Sequence, residues 1–146
     1  MVIRYMLDKG AYAPEKAHFD DAGFDIRLPD RKPDEPAYLV VPAFGSAVID
    51  TGVHMAIPHG YVGFLKSKSG LNIKYDLNGE GVVDAGYQGS IVVKLYNNGD
   101  EDYPFGGGEK LIQIVILPIP DVEMEQVDSF DEYTARGNNG FGSTGR

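Results

Sequence analysis

The chain has 146 residues, 42% hydrophobic and 24% charged, with no cysteine and a formal net charge of −9. That length gives one domain with a core of its own, and the missing cysteines exclude a disulfide framework, thiolate chemistry and cysteine-held zinc. The negative balance argues against a surface that coats nucleic acid, although a single nucleotide needs only a local cluster of cations or backbone donors.

In chain order, the N-terminus MVIRYMLDKGAYAP lacks an apolar run long enough for a signal peptide or a membrane span, so a cytoplasmic protein with no membrane partner is expected. Short β-branched runs then alternate with turn punctuation. Val2–Leu7, Tyr38–Val41, Ala47–Asp50, Val53–Ile57, Tyr61–Lys66, Ile91–Tyr96 and Lys110–Leu117 read as strands. PDRKPDEP, IPHG, NNGD and FGGGE lie between them, and Gly, Pro, Asn and Asp clusters of this kind make turns. No helical period persists; a single turn around Gly70–Lys74 is the only candidate. Many short strands with frequent turns predict an all-β jelly-roll barrel or sandwich over residues 1–128. Residues 129–146 are read as a mobile, glycine-rich C-terminal arm.

Five segments carry possible chemistry. HFDDAGFDI, residues 18–26, holds Asp20, Asp21 and Asp25, which suit waters around a hard cation or an ordinary acidic loop. LKSKSGL, residues 65–71, puts two lysines and two serines just after a strand, with Gly70 allowing close approach; this suits a phosphate or a solvated basic loop. GVVDAGYQG, residues 81–89, places Asp84 and Tyr87 on a tight hairpin permitted by Gly86 and Gly89. Such a hairpin either presents backbone groups to a flat polar ring or is a structural turn with a capping Asp and a core Tyr. FGGGEKLIQ, residues 105–113, brings Gln113 onto one strand face with Leu111 and Val115 by period-two counting. Finally, RGNNGFGSTGR, residues 136–146, combines glycines, hydroxyls, the Arg136 cation and the Phe141 ring. That combination holds a polyphosphate and a ring, or else is a flexible tail.

DAGFDI, KSKSGL, GVVDAGYQG, GGGEKLIQ and RGNNGFGSTG, taken in order, resemble the five motifs of the trimeric dUTP pyrophosphatases (dUTPases), from Asp21 to Gly145. The resemblance implies a jelly-roll homotrimer with active sites shared between subunits. It also implies Mg²⁺-dependent hydrolysis of dUTP to dUMP and pyrophosphate, which cleans the nucleotide pool and supplies a dTTP precursor. By the same resemblance, Asp84 activates the attacking water and Tyr87 stacks on deoxyribose. Asn78, Val82, Val83 and Val92 form the uracil pocket. Lys68, Ser69, Gly70 and Gln113 hold phosphate, and Asp25 contacts through water a Mg²⁺ held mainly by the triphosphate. The arm lays Phe141 on the uracil and brings Arg136, Gly142, Ser143 and Thr144 to the phosphates. dUTPase-like trimers also contact regulatory proteins, so such a partner is admitted. A dCTP deaminase shares the jelly roll, but the GFGSTG arm points to dUTPase. Two positions depart from the commonest family pattern: Lys68 stands for an Arg, and Glu109-Lys110 for Asp-Arg. Charge is kept while the planar fork of Arg is lost.

Overall fold

The computed structural model describes residues 1–130 and 133–138. In chain order the elements are β1 (Arg4–Leu7), β2 (Gly23–Arg27), β3 (Tyr38–Val41), β4 (Ser46–Asp50), β5 (Val53–Ala56), β6 (Tyr61–Lys66), α1 (Ser69–Tyr75), β7 (Leu77–Asn78), β8 (Glu80–Val83), β9 (Val92–Asn97), β10 (Tyr103–Gly106) and β11 (Lys110–Pro118). All named pairings are antiparallel.

A four-stranded sheet runs β2-β11-β6-β8 and a three-stranded sheet β4-β9-β7, beside two-stranded ribbons β1-β5 and β10-β3. The fold is an all-β jelly roll, as the strand and turn pattern predicts. Each sheet turns apolar side chains to one shared core. Ile26, Leu65, Val83, Ile112 and Ile114 come from the first sheet, and Ile49, Leu77, Val93 and Leu95 from the second. Val41, Val53 and Phe105 come from the ribbons. Strand β9 shows the rule cleanly: Val93 and Leu95 are buried while Val92, Lys94 and Tyr96 face out, because successive side chains alternate across a pleated strand. Each fully buried aliphatic side chain contributes about 1.5–3 kcal/mol.

Four features differ from the sequence expectation. The acidic-loop alternative does not hold for Asp25, because the DAGFDI segment enters strand β2 at Gly23 and Asp25 is only 5% exposed. Residues 81–89 do not make a hairpin: β8 pairs with β6 and β9 with β4, so the segment between them crosses from one sheet to the other. Helix α1 extends over seven residues and ends at Asp76, which takes the left-handed conformation (φ 53°) and donates its N–H to the helix carbonyls, a common C-terminal stop. Gln113 does not share a face with Leu111, because the register shifts between Lys110 and Ile112. The bulge buries Leu111 and leaves Gln113 on the partly exposed side.

Among the described residues regular structure ends at Pro118, and Ile119 N–H donates to Gly60 O at 2.9 Å. From there to Phe130 the chain is exposed without strand or helix, carrying Val122, Met124, Val127 and Phe130 on the surface. Among the described residues no helix is long and apolar enough to cross a membrane.

Candidate active site

The first cluster of chemistry-bearing side chains lies at one end of the four-stranded sheet. Asp25, Gln113, Lys66 and Glu80 are register partners in one row across β2, β11, β6 and β8. Beyond that row the chain leaves β6 through Ser67 and Lys68 into α1. Gln113 Nε2 donates to Ser67 O at 3.1 Å, and Ser67 Oγ exchanges hydrogen bonds with the backbone of Gly79. Gly23 gives Gln113 its room, since a Cβ there would lie 2.5 Å from Gln113 Oε1.

Asp25 binds Lys68 Nζ through Oδ1 and Lys110 Nζ through Oδ2, the latter at 2.6 Å. Burial pushes the Asp25 carboxyl up, but hydrogen bonds from Lys110 and Lys68 and their charges outweigh it and hold the group below the usual aspartate range. Lys68, Lys74 and Lys110 line a cavity of about 350 Å³ together with Gly70, Glu109 and aromatic side chains. Glu109 accepts Gly106 N–H at 2.7 Å, so this residue ties down the turn before β11. At the start of α1 the N–H groups of Ser69, Gly70 and Leu71 precede the first intrahelical bond, Asn72 N–H to Lys68 O. A Cβ on Gly70 would meet nothing within 4 Å, and its φ is not positive. Neither packing nor strain within this chain requires a glycine there.

The second cluster is the crossing loop between β8 and β9. Asp84 O accepts Tyr87 N–H at 3.2 Å, and Gly86 sits inside that turn at φ 81°, a region closed to most side chains. Gly89 is needed because a Cβ would collide with the hydroxyl end of Tyr87. Tyr87 donates its O–H to Ser90 O at 2.9 Å while staying 46% exposed, so it does not fill the core. Asp84 is exposed, as is Val82, and Val83 is buried.

Scaffold contacts fix this loop along its length. Gly86 N–H donates to Ile57 O, Ile91 N–H to Val53 O, and Thr51 Oγ1 to Ile91 O at 2.7 Å. Asp50 accepts from Ser90 Oγ and from Gly52 N–H, and the Ser90 bond foremost lowers its carboxyl below the ordinary range. His54 Nδ1 lies 2.8 Å from Gln88 O and Nε2 lies 3.3 Å from Asp8 Oδ1. Only imidazolium donates to both acceptors. The Gln88 carbonyl raises the His54 pKa, burial opposes it, and Asp8 adds to the rise.

The two clusters are apart. Lys68 follows the end of β6 that pairs with Glu80, whereas Asp84 follows the end of β8 that pairs with Gly63. Four residues of strand put Asp84 about 13 Å from the Asp25–Glu80 row. The predicted residues thus divide into Asp25, Lys68, Ser69, Gly70 and Gln113 at one end, and Val82, Val83, Asp84 and Tyr87 at the other. Asn78 and Val92 lie in the second sheet, on β7 and β9. Asn78 Oδ1 is buried and accepts no hydrogen bond among the described residues. Arg136 is exposed; Phe141, Gly142, Ser143 and Thr144 lie outside the described residues.

Sequence reasoning did not assign Lys110 and Lys74 to the site. The signal for Lys110 was the paired departure at Lys68 and Lys110, two lysines replacing two arginines near one buried carboxylate. Among the described residues no three His, Asp or Glu side chains converge as a cation site. Asp25, expected to face Mg²⁺ through water, has one carboxylate oxygen on each of Lys68 and Lys110.

The family model described as dUTPase matches residues 9–145. Deoxyuridine 5'-triphosphate nucleotidohydrolase from Anaplasma marginale is 38% identical, across 99% of this chain and 96% of that protein. The protein of the same name from Solanum lycopersicum is 36% identical over 95% of this chain and 78% of its own length. Among solved structures, Staphylococcus bacteriophage 80alpha dUTPase with dUPNHPP superposes with a TM-score of 0.84 at 33% identity, covering 99% of both chains. That phage protein is described as controlling transfer of virulence genes by a proto-oncogenic G protein-like mechanism. A mutant dUTPase from phage phi11 of S. aureus, with a structural Mg(II) ion, superposes with a TM-score of 0.79 at 31% identity, covering 90% of this chain and all of that one.

Proposed function

This chain belongs to the dUTPase family and hydrolyses dUTP to dUMP and pyrophosphate, and we propose that it does so in sites assembled from two or more subunits of a homotrimer. The observation that carries this reading is the separation of Asp84 from the lysine cleft within one chain. A water-activating carboxylate about 13 Å along a strand from the phosphate-binding groups cannot serve the same triphosphate. A second copy of the chain brings the two ends together.

In the assembled site, the triphosphate lies against Lys68, Ser69, Gly70 and Gln113, where cations and outward N–H groups meet it. The vacant space at Gly70 lets a phosphate approach the backbone. Asp84 of a neighbouring copy takes a proton from water as the water oxygen attacks the α-phosphorus in line. The bond to the α–β bridging oxygen breaks, and pyrophosphate leaves. The exposed Tyr87 ring packs on deoxyribose and leaves no space for a 2′-hydroxyl. Backbone groups of Val82, Val83 and Val92 pair with uracil, and Asn78 Oδ1, a buried acceptor without a donor among the described residues, takes a hydrogen bond from the nucleoside. Such pairing rejects cytosine, whose polar groups oppose it.

Residues from 129 on act as the closing arm, which supplies Arg136, Gly142, Ser143 and Thr144 to phosphate and Phe141 to uracil. The phi11 relative holds Mg(II); here Mg²⁺ travels on the triphosphate as part of the substrate. A cytoplasmic location follows from a substrate found in the nucleotide pool. The test is product analysis with dUTP, dCTP, dTTP and UTP. Pyrophosphate and dUMP from dUTP alone are expected, and ammonia from dCTP would contradict the assignment.

A further inference from the structure

The cavity wall at the phosphate end presents Lys68, Lys74 and Lys110, but not Asp25. Asp25 stands behind the lysines, 5% exposed, with one oxygen on each of Lys68 and Lys110. A carboxylate that orients the water shell of Mg²⁺ must turn its oxygens toward that shell. Each oxygen here accepts from one ammonium group and keeps a further lone pair, so the partners of the Asp25 carboxylate within this chain are the two lysines.

The two lysines supply the reason for that arrangement. A guanidinium is a planar fork that fixes its own direction on a phosphate by paired bonds, whereas an ammonium is a compact charge on a flexible stem. Two such stems need an external guide to face one ligand. A buried carboxylate with one ammonium on each oxygen is such a guide, and the three charges together leave a net positive face toward the cavity.

We infer that Asp25 is a positioning residue in this chain: it aims Lys68 and Lys110 at the triphosphate. The inference rests on placing the triphosphate in this cleft. It makes the carboxylate useful to substrate binding even when no metal is present.

The test is calorimetric titration of the full-length protein with dUTP in EDTA, where no magnesium contact contributes. Asp25→Asn and Lys110→Met are each expected to weaken metal-free binding by about tenfold, the scale of one well-placed charge-assisted hydrogen bond. Metal-free binding by Asp25→Asn as tight as the parent, with affinity lost only when Mg²⁺ is added, would overturn the inference. Because Asp25→Asn leaves two ammonium groups without a counter-charge, Asp25→Asn/Lys110→Met supplies a charge-balanced form. It is expected to bind metal-free dUTP more weakly than Lys110→Met alone, since Lys68 has lost its guide; equal binding would overturn the proposal. Lys68→Met separates the two levels: if it too leaves binding unchanged, the triphosphate is not in this cleft and the inference falls with that placement.

Discussion

Asp84 and Tyr87 sit on a loop whose glycines have identifiable tasks. Gly86 permits the turn at φ 81°, and Gly89 leaves the volume that Tyr87 occupies. Replacing Asp84 by Asn removes the proposed base while keeping shape. Turnover is expected to fall by about 10²–10⁴-fold with dUTP affinity retained, as measured by steady-state kinetics beside calorimetry. Gly70 gives the converse test. A methyl there touches nothing among the described residues, and alanine favours helix by up to about 1 kcal/mol over glycine. Gly70→Ala is therefore expected to match or exceed the parent in thermal stability while its KM for dUTP rises; an unchanged KM would remove Gly70 from the site. The roles proposed for Asp84, Tyr87 and Gly70 come from the motif resemblance, which is visible in sequence because each motif is local. Asp25's partners were not, since Lys68 and Lys110 reach it only after three strands have paired.

At the scale of elements, the loop between β8 and β9 is held by the β4–β5 turn and by β5. His54 bridges Gln88 of that loop and Asp8 after β1. Its pKa is raised, so its contribution to stability is fully present below the unfolded histidine value near 6.5. That contribution is lost as pH rises through the folded value. Thermal unfolding followed across this range is expected to show the loss in the parent and not in His54→Ala. A parallel pH profile in both proteins would show that the bridge does not stabilise the fold. Asp25 works in the opposite sense: its lowered pKa gives stability above the ordinary aspartate value that disappears as pH falls through the folded one. Strands β1, β3, β4, β5, β6, β9 and β11 were legible from β-branched runs. Strand β2 was hidden by Asp25 and Gly23, which look like loop residues until the lysine partners and Gln113 explain them. Strand β10 was hidden by Pro104 and two flanking glycine signals, although proline is tolerated on the edge position it occupies. The crossing loop was misread as a hairpin because turn chemistry is the same whether the next strand returns to its own sheet or enters another.

The whole molecule leaves large apolar side chains exposed on several strands. Val48, Val92 and Tyr96 stand outward on the three-stranded sheet, and Tyr5, Met6 and Leu7 on β1. Apolar patches of this kind mark subunit contact, and solution mass is expected to be that of three chains. The family and the jelly roll could be read from sequence; which ends of the sheet the motifs occupy could not, because register is a tertiary property.

The measurement that bears most directly on this account is complementation between Asp84→Asn and Lys68→Met chains, each nearly inactive alone. Refolded together in equal amounts, they combine at random. Sites that draw Asp84 from one copy and Lys68 from another then return about a quarter of parent activity. No recovery in mixed oligomers, with each protein folded and assembled, would contradict it, since every site would then lie within a single chain.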